Sequence, residues 1–63
     1  MIISGWKSGA KSIDAIRAVK THTGMSLAES KKLIETALEG KVVNLPDDFV
    51  LKEDLEDFGF KVD

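Results

Sequence analysis

Residues 12–38 constrain the fold most, because their pattern is that of two short helices separated by a tight turn. In the first segment, Ser12–His22, apolar residues recur at helical spacing. Gly24 suits the left-handed backbone that ends a helix, and a new helix start follows it directly. We therefore predict a helical hairpin with its turn at Thr23–Gly24.

A capping signal marks the start of the second helix. In the segment Ser26-Leu27-Ala28-Glu29, the serine oxygen can accept a hydrogen bond from the Glu29 N–H. The Glu29 side chain can in turn accept one from the Ser26 N–H, and such caps are worth about 1 kcal/mol. The helical spacing then predicts a buried stripe, flanked by Leu33, that consists of Leu27, Ile34, Ala37 and Leu38.

Two strands and a loop frame this hairpin. The β-branched start of the chain favours a strand over Met1–Lys7, with Gly5 at a bulge or at the strand end. A loop follows, and Ser12 is predicted as the N-cap of the first helix. After Gly40, which is placed to end the second helix, the segment Lys41–Leu45 has the alternating character of a second strand.

The C-terminal third of the chain predicts one more helix and one more strand. Pro46-Asp47-Asp48 is typical of a helix start, because proline and acidic side chains favour the first turn. The third helix is predicted over Phe49–Phe58, and its buried stripe is expected to consist of Leu51, Leu55 and Phe58. Phe60–Asp63 alternates apolar and polar residues, so Phe60 and Val62 should point inward from a final strand.

The resulting order, β-α-α-β-α-β, predicts an α+β fold. Strands this short need one another and a helical cover, so we expect a three-stranded, mainly antiparallel sheet covered on one face by three helices. The 63 residues make one small domain, 1–63, and the start at Met1 suggests a complete small gene product. No apolar run approaches the roughly 20 residues of a membrane span. The absence of cysteine fits a reducing compartment, so a cytoplasmic location is expected.

Charge is distributed unevenly along the chain. Up to Lys41 there are seven Lys or Arg against four Asp or Glu, a net charge of +3. From Val42 onward there are two Lys against seven Asp or Glu, a net charge of −5. Two interpretations stay open, a chance segregation of solvated side chains and a basic surface that meets an acidic partner.

The sequence carries no recognisable catalytic, metal or cofactor motif. Gly5 to Ser12 resembles a phosphate-binding loop, but only three residues separate the glycines and Ala10 precedes Lys11. His22 is the single histidine and has no nucleophile and orienting group arranged around it. The acidic C-terminal third lacks the ligand spacing of a calcium loop. We therefore expect no enzyme activity, no metal and no cofactor.

One apolar stripe on the first helix has no evident internal role. Ala15, Ala18 and Val19 suffice for the core face, whereas Ile13 and Ile16 form a second stripe. This stripe continues through Arg17 and Lys20, and Lys31 can join it from the second helix of an antiparallel hairpin. Periodicity alone leaves two alternatives: the isoleucines are core residues, or they and the cations form a patch that docks a partner with an acidic groove.

A nucleic-acid interface is the competing interpretation of the hairpin. Helix-turn-helix proteins use a similar pair of helices, and Lys31 and Lys32 would lie on the recognition helix. The same helix also carries Glu29, Glu35 and Glu39, which would face phosphates, and the chain as a whole is acidic. We therefore expect no nucleic-acid partner, while the two interpretations of the second stripe stay open.

The hairpin resembles the C-terminal domain of the bacterial ribosomal stalk protein. Ala15–Lys20 is similar to that family's run of small, Ile, basic, Ala, Val and basic residues, and Thr23–Glu35 is similar to its Thr-Gly turn and Lys-containing helix. The end of the chain, Asp54–Val62, is similar to its last helix, glycine and strand. The resemblance spans nearly the whole chain and implies the same element order.

The resemblance implies a protein-binding module that recruits translation-factor GTPases. The family's factor-binding surface maps onto Ile13, Ile16, Arg17, Lys20 and Lys31, with the Gly24 turn beside them. The family's dimerisation segment and hinge have no counterpart in this sequence, which suggests a free-standing copy such as a phage or mobile-element mimic or competitor. The protease adaptor that presents N-degron substrates has a similar core fold, so an adaptor role is an alternative.

Overall fold

The computed structural model describes all residues, 1–63, and confirms the predicted α+β element order. Its elements are, in chain order, β1 (Ile2–Trp6), α1 (Ser12–Thr23), α2 (Leu27–Leu38), β2 (Val43–Asn44), α3 (Phe49–Asp57) and β3 (Phe60–Val62). The second strand is shorter than predicted, because only two of its residues pair with β1. The other elements agree with the predicted bounds to within about two residues.

The sheet has the order β2-β1-β3, and β1 is antiparallel to both neighbours. Ile3, at the centre, pairs with Val43 on one side and with Val62 on the other. The register shifts between Ile3 and Gly5, and β1 continues to Trp6, so of the two predicted alternatives a bulge at this glycine agrees with the structure and a strand end does not. A Cβ atom at Gly5 would lie 3.4 Å from the Lys61 side chain, which is an ordinary van der Waals contact, so the lysine stem does not by itself require a glycine here.

Two of the helices pack directly on strands of the sheet, and the third packs on those two helices. Helix α2 packs on β1 and β2, and α3 packs on β3, whereas α1 packs against α2 and α3 and not against a strand. Both Phe60 and Val62 are buried, as the alternation of β3 predicted. The core consists of Ile3, Ala15, Val19, Ile34, Ala37, Val43, Leu45, Leu51, Leu55, Phe60 and Val62.

The start of α1 corrects one prediction. Ser12 is the first residue of the helix and not its cap, and the cap position belongs to Lys11, which makes no capping side-chain bond. The Lys11 N–H donates to the Phe58 carbonyl at 2.8 Å, while its own carbonyl accepts from Ala15. This backbone tie to the end of α3 fixes where α1 begins, so a serine cap is not needed.

The other two helix starts are capped by side chains. Ser26 Oγ accepts the Glu29 N–H at 3.1 Å, although the reciprocal bond from the Ser26 N–H to the Glu29 side chain is not formed. Asp48 Oδ1 accepts the Leu51 N–H at 3.0 Å and caps α3. Pro46 therefore lies before the cap and not in the first helical turn. In α3, Leu51 and Leu55 are fully buried as predicted, while Phe58 is only half-buried.

The chain start is tied to the segment before α3. The Met1 ammonium donates to the Leu45 carbonyl at 2.7 Å and to Asp47 Oδ1 at 2.6 Å. The hydrogen bond from this ammonium, and then its positive charge, hold the pKa of the exposed Asp47 carboxyl below its ordinary value of 3.8. This contact joins β1 to the α3 start at the surface of the domain.

Candidate functional site

The solvent-facing side of α1 carries an apolar residue among cations. Ile13 is 67% exposed, and both Arg17 and Lys20 are exposed as well. Ile16 differs, because it is half-buried and packs against the core. The second stripe of α1 therefore divides into one isoleucine that is free to contact a partner and one that mainly supports the fold.

The orientation of α1 follows from its contacts. His22 faces α3, with Nδ1 3.5 Å from Asp48 Oδ2 and Nε2 3.3 Å from Asp54 Oδ2. Successive residues of a helix are about 100° apart, so Ile13, nine positions before His22, points to the opposite side of the helix. The exposed side of α1 is therefore turned away from α3. This histidine joins two helices and belongs to the structure of the domain.

Helix α2 contributes further residues next to this exposed side of α1. A groove of about 360 Å³ lies between α2 and the β2 side of the sheet. It is lined by Glu29, Lys32, Leu33, Thr36, Val42 and Val43. Ser30, Ile34 and Ala37 are buried beneath the helix. Helical spacing places Leu27 and Lys31 on the opposite flank from this groove. We infer that this flank lies toward α1, because α2 packs on α1 as well as on β1 and β2 and the groove marks its β2 side. Lys31 is exposed there, as the docking interpretation requires.

Leu27 corrects the predicted core stripe of α2. It is 57% exposed, although its spacing matches that of the buried Ile34. The reason is position: Leu27 is the first residue of α2 and extends past the elements that cover the rest of the stripe. Periodicity records the side of a helix but not where its cover ends. The signal that identifies Leu27 as a surface residue is its place directly after the cap, one helical turn before Lys31.

These residues define a surface that we call the hairpin rim. Gly24 lies at the turn beside it with φ of 75°, and its N–H donates to the Lys20 carbonyl at 3.1 Å. Thr23 Oγ1 donates to the Val19 carbonyl at 2.6 Å and accepts the Met25 N–H at 3.2 Å. The turn is thus held by its own hydrogen bonds and sets the angle between the helices. The hairpin rim comprises Ile13, Ile16, Arg17, Lys20, Leu27 and Lys31.

The cations of the hairpin rim have no acidic partner within the chain. The structure has an ion pair between the Met1 ammonium and Asp47, and close contacts of the His22 ring with Asp48 and Asp54. Arg17, Lys20 and Lys31 take part in none of them. Their charges are therefore available to an external acidic surface.

Three further features of the structure bear on the kind of site this is. The structure has no cluster of three or more His, Asp or Glu side chains placed to hold a metal ion. None of the three helices has the length and apolar content needed to cross a membrane. The second cavity, of about 230 Å³, lies at the chain start and is lined by Met1, Asp47, Asp48, Phe49, Lys52 and Asp63.

Comparison with known proteins agrees with the fold and the hairpin. The large ribosomal subunit protein bL12 of Actinobacillus pleuropneumoniae serotype 5b (strain L20) is 38% identical over 61 aligned residues. The alignment covers 90% of this chain and 48% of that protein, so the chain spans about half the length of the curated relative it matches. No family model and no solved structure matches the chain. In sequence and in its β-α-α-β-α-β architecture, the chain is a bL12 C-terminal-domain-like protein.

Proposed function

We propose that this domain binds a protein through the hairpin rim and that the partner is a translation-factor GTPase. The exposure of Ile13 beside unpaired cations is the observation that carries the proposal. An apolar side chain left in water on an otherwise polar helix gains free energy only when something covers it. Ile13 stays 67% exposed, so no part of this chain supplies that cover.

The chemistry of the hairpin rim specifies the partner surface. Ile13 and Leu27 offer apolar contact area, and the half-buried Ile16 holds the rim against the core. Arg17 can make paired hydrogen bonds to a carboxylate, whereas a lysine acts as a more mobile point charge. The matching surface is a shallow apolar groove with acidic side chains at its border. A patch this small should bind modestly, and its charges should act mainly on the association rate.

The similarity to bL12 supports a partner that works at the ribosome. That relative is by name a protein of the large ribosomal subunit, and the alignment covers nearly all of this chain. In the stalk family that the hairpin resembles, the corresponding helices bind translation-factor GTPases. The proposed role is therefore that of a binding module, without catalysis, whose hairpin rim meets a factor.

The structure gives less support to a nucleic-acid interface. Glu29, Glu35 and Glu39 are exposed along α2, the helix that would have to enter a groove. These carboxylates would approach phosphates and oppose binding. The uneven charge of the chain thus agrees better with an acidic protein surface than with nucleic acid.

The test is a charge reversal on the hairpin rim with a matched control. Arg17→Glu combined with Lys20→Glu should weaken binding to purified bacterial translation-factor GTPases by about tenfold or more, a loss of about 1.4 kcal/mol. Lys7→Glu combined with Lys41→Glu makes the same change in net charge at exposed sites outside the hairpin rim. This control should stay within about threefold of the wild type.

Biolayer interferometry measures both variants, and circular dichroism checks that they fold. Equal losses in the two variants would mean that net charge, and not the hairpin rim, governs binding. If the wild type binds none of the factors at about 100 μM, the identity of the partner is wrong, since even weak specific interfaces are detected there. Binding of peptides with bulky N-terminal residues instead would assign the domain to the adaptor alternative.

A further inference from the structure

The outer side of α3 is a second apolar and charged surface that the proposed function does not use. Phe49 and Val50 are 74% and 56% exposed, while Leu51 and Leu55 on the inner side are fully buried. Glu53 and Asp57 follow Phe49 at intervals of four residues and are also exposed. Helical spacing therefore places Phe49, Val50, Glu53 and Asp57 on one outward side, which we call the α3 ridge.

The carboxylates of the α3 ridge are unpaired, unlike those of three other acidic residues in or just before α3. Asp47 pairs with the Met1 ammonium, and Asp48 and Asp54 both face His22. Glu53 and Asp57 make no ion pair within the chain. An exposed phenylalanine beside two unpaired carboxylates calls for a partner surface that is apolar and cationic.

The chain itself carries a surface of this kind on α1. The exposed line of α1 begins with Ile13 and continues with Arg17 and Lys20, so an apolar start is followed by cations. The α3 ridge begins with Phe49 and Val50 and continues with anions. At 1.5 Å per residue, the exposed residues of α1 from Ile13 to Lys20 span about 10 Å, and the α3 ridge from Phe49 to Asp57 spans about 12 Å. The two surfaces therefore match in length.

The two surfaces cannot meet within one molecule. His22 marks the side of α1 that faces α3, through its contacts with Asp48 and Asp54. Ile13 points to the opposite side of α1, and the α3 ridge points away from the core that Leu51 and Leu55 occupy. Any contact between the two lines therefore joins two copies of the chain.

We propose that the α3 ridge docks on the hairpin rim of a second copy of this chain. With the two helices parallel, Phe49 and Val50 lie against Ile13, and Glu53 and Asp57 lie against the cations of α1. Such a contact is heterologous, since different patches of the two copies meet, and it covers the hairpin rim. Self-association would therefore compete with any other ligand of the hairpin rim, but it does not depend on which protein that ligand is.

Concentration and salt provide the first test. Contact between the α3 ridge and the hairpin rim should bury less area than a stable dimer needs, so the association should be weak and transient. Sedimentation velocity of the wild-type chain should show its apparent mass rising between about 10 μM and about 1 mM at low salt. The rise should shrink at about 0.5 M salt, because salt screens the exposed charges. A chain that stays monomeric to about 1 mM at low salt would overturn the proposal.

Charge reversal then tests which surfaces meet. Glu53→Lys with Asp57→Lys makes both surfaces cationic, and Arg17→Glu with Lys20→Glu makes both anionic. Each variant alone should remain monomeric. An equimolar mixture of the two should associate again, because each cationic surface then finds an anionic one. A mixture no heavier than its separate components, or variants that self-associate as the wild type does, would overturn the proposal.

An apolar pair of variants tests the contact without changing charge. Phe49→Ala should reduce self-association about tenfold, whereas Val42→Ala should leave it unchanged. Val42 is 63% exposed and lines the groove between α2 and β2, and it belongs to neither the α3 ridge nor the hairpin rim. Both residues lie outside the core, so both variants should fold. Equal effects of the two substitutions would contradict the assignment of the α3 ridge.

Discussion

The helical hairpin has two contrasting regions, its buried seam and the hairpin rim. The seam consists of small and branched residues that no water reaches, including Ala15, Val19 and Ile34. The hairpin rim lies a fraction of a helical turn away, and there Ile13 is largely exposed among unpaired cations. The same two helices thus carry one region that stabilises the domain and one that is available to a partner.

The contrast shows that residue type does not decide what a position does. Ile13 and Ile34 are both isoleucines on amphipathic helices, yet one is mostly in water and the other is fully buried. What separates them is the set of elements packed above each position. Substitutions of equal chemistry in the two regions should therefore have very different effects, and the following predictions use that difference.

The largest effect is expected from a matched pair of isoleucine truncations. Ile34→Ala should lower the free energy of unfolding by about 2–5 kcal/mol, because it leaves a cavity in the core. Ile13→Ala removes the same atoms from an exposed site and should change stability by at most about 0.5 kcal/mol. Urea unfolding followed by circular dichroism measures both. Similar losses in the two variants would mean that Ile13 is part of the core.

A smaller effect of opposite sign is expected within the seam. The Ser30 hydroxyl is fully buried and has no hydrogen-bond partner. Ser30→Ala should therefore stabilise the domain by about 1–2 kcal/mol, since an unsatisfied buried polar group is removed. Ser26→Ala, which deletes the cap of the same helix, should instead destabilise it by about 1 kcal/mol. Thermal unfolding gives both values, and a destabilising Ser30→Ala would reveal a partner for the hydroxyl.

The smallest effect is expected outside the hairpin, at the chain start. The Met1 ammonium holds the pKa of Asp47 below 3.8, so the charged carboxylate is favoured by folding. Its contribution is present above about pH 4 and is lost as the pH falls through the lowered pKa. Asp47→Asn should therefore be slightly less stable than the wild type at pH 6, and the difference should shrink as the pH falls below 3.8. Unfolding curves across this pH range measure the difference in stability between the variant and the wild type. A difference that does not change with pH would contradict the coupling of the Asp47 charge to folding.

The sequence predicted the parts of the fold that depend on local chemistry. The Ser26 cap, the left-handed Gly24 and an irregularity of β1 at Gly5 follow from what neighbouring residues can do, and all three are present. The inward side chains of β3 follow from strict alternation along a short segment. These predictions needed no knowledge of how the elements pack.

The predictions that failed depended on distant contacts. Leu27 has the spacing of a core residue, but no other element covers it at the start of α2. Ser12 is not the cap of α1, because the hydrogen bond from the Lys11 N–H to the Phe58 carbonyl places Lys11 at that position. Ser30 was not recognised as buried, because a serine between polar neighbours gives no apolar signal. For the hairpin rim, periodicity isolated Ile13 and Ile16 together, and only the packing of α1 distinguishes the exposed residue from the half-buried one.

The central claim is that the hairpin rim is where a protein partner docks. A ¹⁵N-labelled domain titrated with a purified bacterial translation-factor GTPase tests it most directly, because each backbone amide reports its own surroundings. The account predicts that the shifts and line broadening cluster at Ile13, Arg17, Lys20, Leu27 and Lys31, and that the amides of Val42 and Lys32 by the α2 groove stay unchanged. Changes centred on that groove, or spread evenly over the domain, would contradict it.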